Sequence, residues 1–235
     1  MMLEKLGIPG LDEMFKGGLR RNCSVLVKGS PGTGKTILAL QFIFEGARQG
    51  CPGVFITAEE ELDNLRSYAH SLGMDIGAYE KKKMIYLIKQ SVTLKKLISI
   101  ATPLQLITSG KVKRVVLDSL TIFRYGTEDE KSYRKEILDL ISNMKSVLFL
   151  ATAEEKKDTL DFTDSDAEDY LFDGLIRMIK IRQGNNFERC IFVKKMRGQD
   201  HLTDIFPFTI TNRGIAIHPK EIPFSLMGTN FKDEK

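Results

Sequence analysis

Residues 24–36 read Ser-Val-Leu-Val-Lys-Gly-Ser-Pro-Gly-Thr-Gly-Lys-Thr (SVLVKGSPGTGKT), and this stretch decides the fold. Ser24 to Lys28 is a short apolar run of strand character, and Ile37 to Ala47 repeats its apolar residues at helical spacing. Between them stands Gly29-x-x-x-x-Gly34-Lys35-Thr36, the spacing of a phosphate-binding loop. The chemistry needs these residue types. Glycines let successive backbone N–H groups converge on one anion, the lysine reaches the β- and γ-phosphates, and the threonine hydroxyl ligates Mg²⁺. The nucleotide-binding set is therefore Gly32, Thr33, Gly34, Lys35, Thr36 and Ile37, with ATP or ADP and Mg²⁺ as the expected cofactors.

Outward from this loop, strand and helix signals alternate. Gly53 to Ala58 reads as a strand, about Glu61 to Leu72 as a helix stopped by Gly73, and Met84 to Ile88 as a weaker strand. Thr93 to Thr108 has helical spacing interrupted at Pro103, Val112 to Leu117 is a strand, Lys131 to Met144 a helix and Val147 to Thr152 a strand. Such alternation calls for a mostly parallel sheet covered on both faces. Beyond it come strands alone. Leu175 to Arg182 and Phe187 to Lys195 flank a hairpin turn, and Phe206 to Thr211 and Gly214 to Ile217 flank Asn-Arg-Gly. The expected fold is α/β, a phosphate-loop core with an antiparallel β extension at its C-terminal side.

At 235 residues the chain suits one α/β domain, with residues 1–20 as an N-terminal segment and 221–235 as an irregular or helical tail. No run approaches the ~20 apolar residues of a membrane span, and the N-terminus lacks the apolar centre of a secretory signal. A soluble, cytoplasmic protein without a membrane role is expected. Cys23, Cys51 and Cys190 are scattered without metal-ligand spacing and read as buried small hydrophobes. The net charge of +4 is too mild to argue for or against nucleic acid.

Hydrolysis needs two further carboxylate functions. One holds the metal from the tip of a neighbouring parallel strand, and Asp118 ends Val115-Val116-Leu117 there. The other orients or deprotonates the attacking water, and Glu59 or Glu60 follows the strand 53–58. Adjacent residues at a strand end point to opposite sides, so one of the two is expected to face the phosphate. Glu59 is favoured, although both also suit a helix start electrostatically. At the far end of the chain, Lys195 and Arg197 stand at i and i+2 of a strand and present two cations together.

Together these segments resemble the KaiC-like branch of the RecA superfamily of ATPases. The resemblance runs through Gly7-Ile-Pro-Gly-Leu-Asp12 with Gly17-Gly18, the phosphate loop, Phe55-Ile-Thr-Ala-Glu-Glu60, Ser71-Leu-Gly73, Arg114-Val-Val-Leu-Asp-Ser119, Lys195-Met-Arg-Gly198 with His201, and Pro207-Phe-Thr-Ile-Thr211. It implies a RecA-like core, Mg²⁺-dependent ATP hydrolysis and a ring-shaped homohexamer binding ATP between neighbouring subunits. It further implies that Glu59 is the catalytic glutamate with Glu60 its acidic neighbour, and that Asp118 is the second acidic motif. Ser71 and Thr211 match positions approaching the base and ribose, with Asn212 where an aspartate is common. Lys195 and Arg197 match a pair that one subunit donates to its neighbour's γ-phosphate, and His201 lies just beyond them.

Departures narrow the function. In the clock relatives, adjacent Ser and Thr phosphoacceptors precede a strand; here Asp169 and Tyr170 stand there, so autokinase activity is not expected. Recombinase relatives bind single-stranded DNA through channel loops, whereas residues 154–169 carry eight acidic side chains against two lysines, a net of −6. A phosphate backbone wants the opposite sign, which disfavours nucleic acid. The expected function is a regulatory ring ATPase acting on an unidentified protein partner. A DNA-dependent recombination ATPase and a nucleotide-sensing scaffold with little turnover are the alternatives.

Overall fold

The structure, a computed structural model, describes residues 3–90, 101–155 and 166–227. Its main sheet is built from β3 (Ser24–Gly29), β4 (Gly53–Thr57), β5 (Ile85–Lys89), β6 (Arg114–Asp118), β7 (Leu148–Glu154), β8 (Gly174–Gln183), β9 (Asn186–Met196), β10 (Phe206–Thr211) and β11 (Gly214–Ile217). Across the sheet the order is β11-β10-β9-β8-β3-β7-β6-β4-β5. From β8 to β5 every pairing is parallel, and from β8 outward to β11 every pairing is antiparallel. The chain is thus an α/β protein with the RecA-like core and antiparallel extension expected from the sequence.

The parallel strands are apolar on both faces because helices cover both. Val25 and Val27 of β3, Phe55 of β4, Val116 of β6, and Leu148 and Leu150 of β7 pack with Leu38, Phe42 and Ile43 of α2 (Lys35–Arg48). Their sequence neighbours Leu26, Val54, Ile56, Val115, Leu117, Phe149 and Ala151 face the other way, against Phe123 of α6 (Thr121–Arg124) and Tyr133, Ile137 and Leu140 of α7 (Glu130–Asn143). Alternation at period two therefore feeds two cores, each large side chain contributing about 1.5–3 kcal/mol on burial. The remaining helices are α1 (Leu11–Met14), α3 (Leu62–Ser71), α4 (Ile76–Lys81) and α5 (Ala101–Thr108).

Three local features add to the sequence reading, the first of them a departure. Pro103 lies within α5, and the earlier part of the expected segment 93–108 falls outside the described residues. The N-terminal segment is a structured part of the core: β1 (Leu3–Glu4) pairs with β2 (Leu19–Arg20), and Leu6, Ile8, Leu11, Met14 and Phe15 are buried. Arg114 fastens this segment, its buried guanidinium donating to the carbonyls of Lys5, Leu6 and Phe42 at 2.6, 3.1 and 2.8 Å. In the tail, Phe224–Leu226 form a single 3₁₀ turn whose first two N–H groups bond Glu188, and residues 228–235 lie outside the described residues. Among the described residues no helix is long and apolar enough to cross a membrane.

Candidate nucleotide site

The phosphate loop leaves the C-terminal end of β3 and enters α2. Gly29 packs so closely on β8 that a Cβ there would stand 2.2 Å from the Met178 carbonyl oxygen. Gly34 turns the chain into α2 at φ 108, a left-handed conformation that disfavours any side chain. Thr33 is fully buried and donates its hydroxyl to Ser30 O at 2.9 Å, which folds the loop onto itself. Lys35, 8% exposed, donates its ammonium to the Gly29 and Ser30 carbonyls at 2.8 and 3.1 Å.

This loop floors a cavity of about 660 Å³ lined by Gly32, Gly34, Lys35, Thr36 and Ile37, together with Glu59, Glu60, Ser71 and Asp118. Nine sequence-derived positions are therefore brought together. The volume and mixed lining suit a small-molecule ligand. Tyr68, Ser119, Glu154, Arg189 and Ile210 are also in the wall.

Asp118, at the tip of β6, accepts from the Thr36 hydroxyl at 2.9 Å and from the Thr152 hydroxyl of β7. Burial pushes its carboxyl above the ordinary aspartate range; Thr152, Thr36 and the Lys35 charge pull the other way, while Glu59 adds to the rise. A buried carboxylate one hydrogen bond from a threonine hydroxyl is a hard-oxygen pair. Mg²⁺ takes one or two protein oxygens and fills its octahedron with water and phosphate oxygens, so Thr36 and Asp118 fit that ion.

The two candidate bases differ in their partners. Glu59 accepts from the Ser119 hydroxyl at 2.7 Å, which places it beside the Asp118 strand tip. Glu60 donates its backbone N–H to Thr57 Oγ1 at 3.0 Å, and its carboxylate accepts a long contact from Asn64 Nδ2 at 3.4 Å. Both line the cavity, since β4 ends at Thr57 and strand alternation stops before them.

Of the three positions expected near the nucleoside, Ser71 lines the cavity and Thr211 and Asn212 do not. Ser71, at the end of α3, donates to Tyr68 O at 2.7 Å. A Cβ on Gly73 would stand 3.4 Å from Asn212 O, so the Thr211–Asn212 corner abuts the end of this helix. Thr211 and Asn212 are exposed there, and Thr211 Oγ1 accepts from Arg213 N at 3.1 Å.

Lys195 and Arg197 occupy the other end of the sheet and do not line the cavity. Lys195 pairs with Leu175, which pairs with Leu26. It therefore lies level with a residue three places before Gly29, roughly 10 Å along the strand direction. The alternation argument for the pair also needs amending. The register slips between Leu175 and Ile176, β9 ends at Met196, and Arg197 stands just outside the strand, exposed. The two cations are neighbours all the same: burial and then the Arg197 charge hold the Lys195 pKa below the usual lysine range. His201 donates its N–H to Asp200 Oδ1 at 2.9 Å, and its Nδ1 is buried without a hydrogen-bond partner among the described residues.

Sequence reading missed Ser119 and Thr152, which orient the two key carboxylates, and Tyr68 and Arg189 in the wall. Ser119 and Thr152 stand in or next to strands already recognised, but their partners lie far along the chain and no local signal names them. Arg189 and Tyr68 carry no motif signal. Within the acidic loop, Glu155, Asp166, Glu168 and Asp169 pair with Lys28, Arg124 or Arg177; residues 156–165 lie outside the described residues.

The family described as "ATPase: KaiC" matches residues 4–222. The chain belongs to the KaiC family of ATPases. The circadian clock oscillator protein KaiC of Picosynechococcus is 31% identical over 90% of the chain and 43% of its own length. The chain thus spans less than half of that relative. A UPF0273 protein of Methanopyrus kandleri is 30% identical over 92% of both chains. The crystal structure of a KaiC-like protein from Pyrococcus horikoshii superposes with a TM-score of 0.82, at 30% identity, over 93% of this chain and 99% of that one. For this KaiC-family chain, nucleotide binding at the phosphate loop is what the family implies.

Proposed function

We propose that this KaiC-family protein hydrolyses Mg²⁺-bound ATP to ADP and phosphate at sites shared between neighbouring copies of a homo-oligomeric ring, a hexamer by family likeness, whose turnover serves regulation of an unidentified protein partner. The observation that carries this reading is the meeting of Lys35, Thr36, Asp118 and the Ser119-held Glu59 in one cavity. The Gly32–Ile37 backbone and the Lys35 ammonium hold the β- and γ-phosphates. Bound Mg²⁺ would neutralise charge on those oxygens, with Thr36 and Asp118 as its protein ligands. Glu59 orients water and takes its proton as the oxygen attacks the γ-phosphorus. The bond to the β–γ bridging oxygen breaks, and ADP leaves with that electron pair.

Ser71, Thr211 and Asn212 frame the base and ribose. Lys195 and Arg197 lie away from their own phosphate loop and outside its cavity, which supports their action on a neighbour's site, with His201 close by in the chain. An arginine given in trans stabilises charge on the transferring phosphoryl group. Phosphate release from Mg-ATP tests the reading. Turnover is expected to vanish in Lys35→Ala and to fall at least ~10²-fold in Glu59→Gln while nucleotide still binds. Undiminished turnover in Glu59→Gln removes Glu59 from the mechanism.

A further inference from the structure

Beneath the phosphate loop lies a charged assembly that hydrolysis itself does not use. Lys28, the residue before Gly29, is 0% exposed. It stands directly opposite Arg177 in the β3–β8 ladder, and like charges so placed repel. Asp169 resolves this by bridging them, Oδ1 to Lys28 at 2.9 Å and Oδ2 to Arg177 at 3.2 Å. Glu168 lies 3.7 Å from Lys28, Asp166 bonds the same ammonium, and Arg124 joins Asp166 and Glu168 at 3.4 and 3.3 Å. Burial would lower the Lys28 pKa, but the bonds to Asp166 and Asp169 outweigh it and raise it, so the cation stays charged.

Desolvating so many charges costs several kcal/mol per ion, and a buried ion cluster is weak evidence for stability. What it does fix is a place. The next residue, Tyr170, accepts a hydrogen bond on its carbonyl from Arg197 Nη2 at 2.7 Å. Three residues on, Asp173 accepts the Arg197 backbone N–H at 2.9 Å, while its carboxylate binds Ser24 N and Oγ at 2.9 and 3.0 Å. Segment 166–173 is therefore tied at one end to Lys28 and at the other to Ser24, the two ends of the strand that carries the phosphate loop. Arg197 rests on its outer edge.

We propose that the Lys28–Asp169–Arg177 cluster is a positioning device: it sets the Tyr170 carbonyl, and through it Arg197, at the point from which one subunit serves its neighbour's phosphates. The inference rests on the trans reading of Arg197. It makes Lys28 and Asp169 positioning residues that act on a site their own chain does not contain.

Mixed rings test it. Arg197→Ala subunits keep a complete nucleotide pocket and donate no arginine; Lys35→Ala subunits donate one but have no working pocket. Neither alone is expected to release phosphate, and their mixture is expected to. The donor is then changed to Lys28→Met/Lys35→Ala, with Asp169→Asn/Lys35→Ala in parallel as an isosteric variant, and native mass spectrometry confirms entry into mixed rings. The expected result is at least ~10-fold less restored kcat with KM for ATP unchanged, since displacement of a catalytic group by about 1 Å costs up to ~10²-fold. Because these donors have no working pocket, any effect on their own phosphate loop is invisible. Restoration equal to that by Lys35→Ala donors overturns the proposal. Failure of both cluster variants to enter rings also overturns it, showing an assembly element instead. If plain Lys35→Ala donors enter rings and restore nothing, the trans reading itself fails and the positioning role goes with it.

Discussion

Ser119→Ala offers a sharp probe of how the general base is held. The substitution deletes one hydroxyl, whose bond to Glu59 Oε1 measures 2.7 Å, and leaves the β6 backbone in place. Hydrogen bonds to charged groups contribute about 1.5–3 kcal/mol. Glu59 is exposed, so water replaces part of the loss and the lower figure applies. About 1.5 kcal/mol corresponds to roughly tenfold in rate. Steady-state phosphate release is expected to show kcat about tenfold lower and KM for ATP little changed, because the serine orients the base and not the phosphates. In Glu59→Gln the base is gone, and the serine has nothing left to orient. The double variant is then expected to run no slower than Glu59→Gln, with a coupling energy on the order of 1.5 kcal/mol. Full activity in Ser119→Ala, or losses that simply multiply in the double variant, refutes the assignment of Ser119 as the group that sets Glu59.

Arg114→Met removes a buried guanidinium and its three hydrogen bonds to backbone carbonyls, of which Phe42 O keeps its bond within α2. Each carbonyl left unpaired costs about 1–3 kcal/mol, partly offset because a charge no longer needs burying. A net loss of ~3 kcal/mol lowers Tm by roughly 6–12 °C at this chain length; an unchanged melting curve contradicts the fastening role. Thiol labelling reads the core directly. Burial pushes the Cys23 and Cys190 thiols up to about 12, whereas Cys51 is half-buried. Burial disfavours the thiolate, so at pH 8 its fraction at the two buried sites is on the order of 10⁻⁴. Native protein should show one fast thiol and denatured protein three; three fast thiols in the native state contradict the packing.

How much of this was legible in the sequence depends on how local each signal is. The phosphate loop is local: glycine spacing, a lysine and a flanking strand and helix lie within a few turns of chain, and Gly29 to Ile37 fell where the spacing placed them. Asp118 was legible because a strand tip needs only a short apolar run before it. Ser119 and Thr152 form their bonds across 60 and 34 positions of chain, and no periodicity encodes such partners. The packing of residues 3–20 was invisible for a similar reason, since Arg114, far along the chain, supplies the contacts that order it. The ion pairs of Glu155, Asp166, Glu168 and Asp169 were not legible, because Lys28, Arg124 and Arg177 come from three separate elements. Lys195 and Arg197 were legible as a pair of cations, and the family resemblance implied their role toward a neighbour; their distance from their own phosphate loop required the register of β8 and β9.

The central claim is that hydrolysis belongs to an assembly and not to a lone chain. Solution mass and phosphate release, followed in the same samples across a protein dilution series with Mg-ATP, test it most directly. Turnover per subunit is expected to rise with the assembled fraction and to disappear as the protein dilutes to monomer. Full turnover from monomeric protein, or stable rings in Mg-ATP that release no phosphate, contradicts the account.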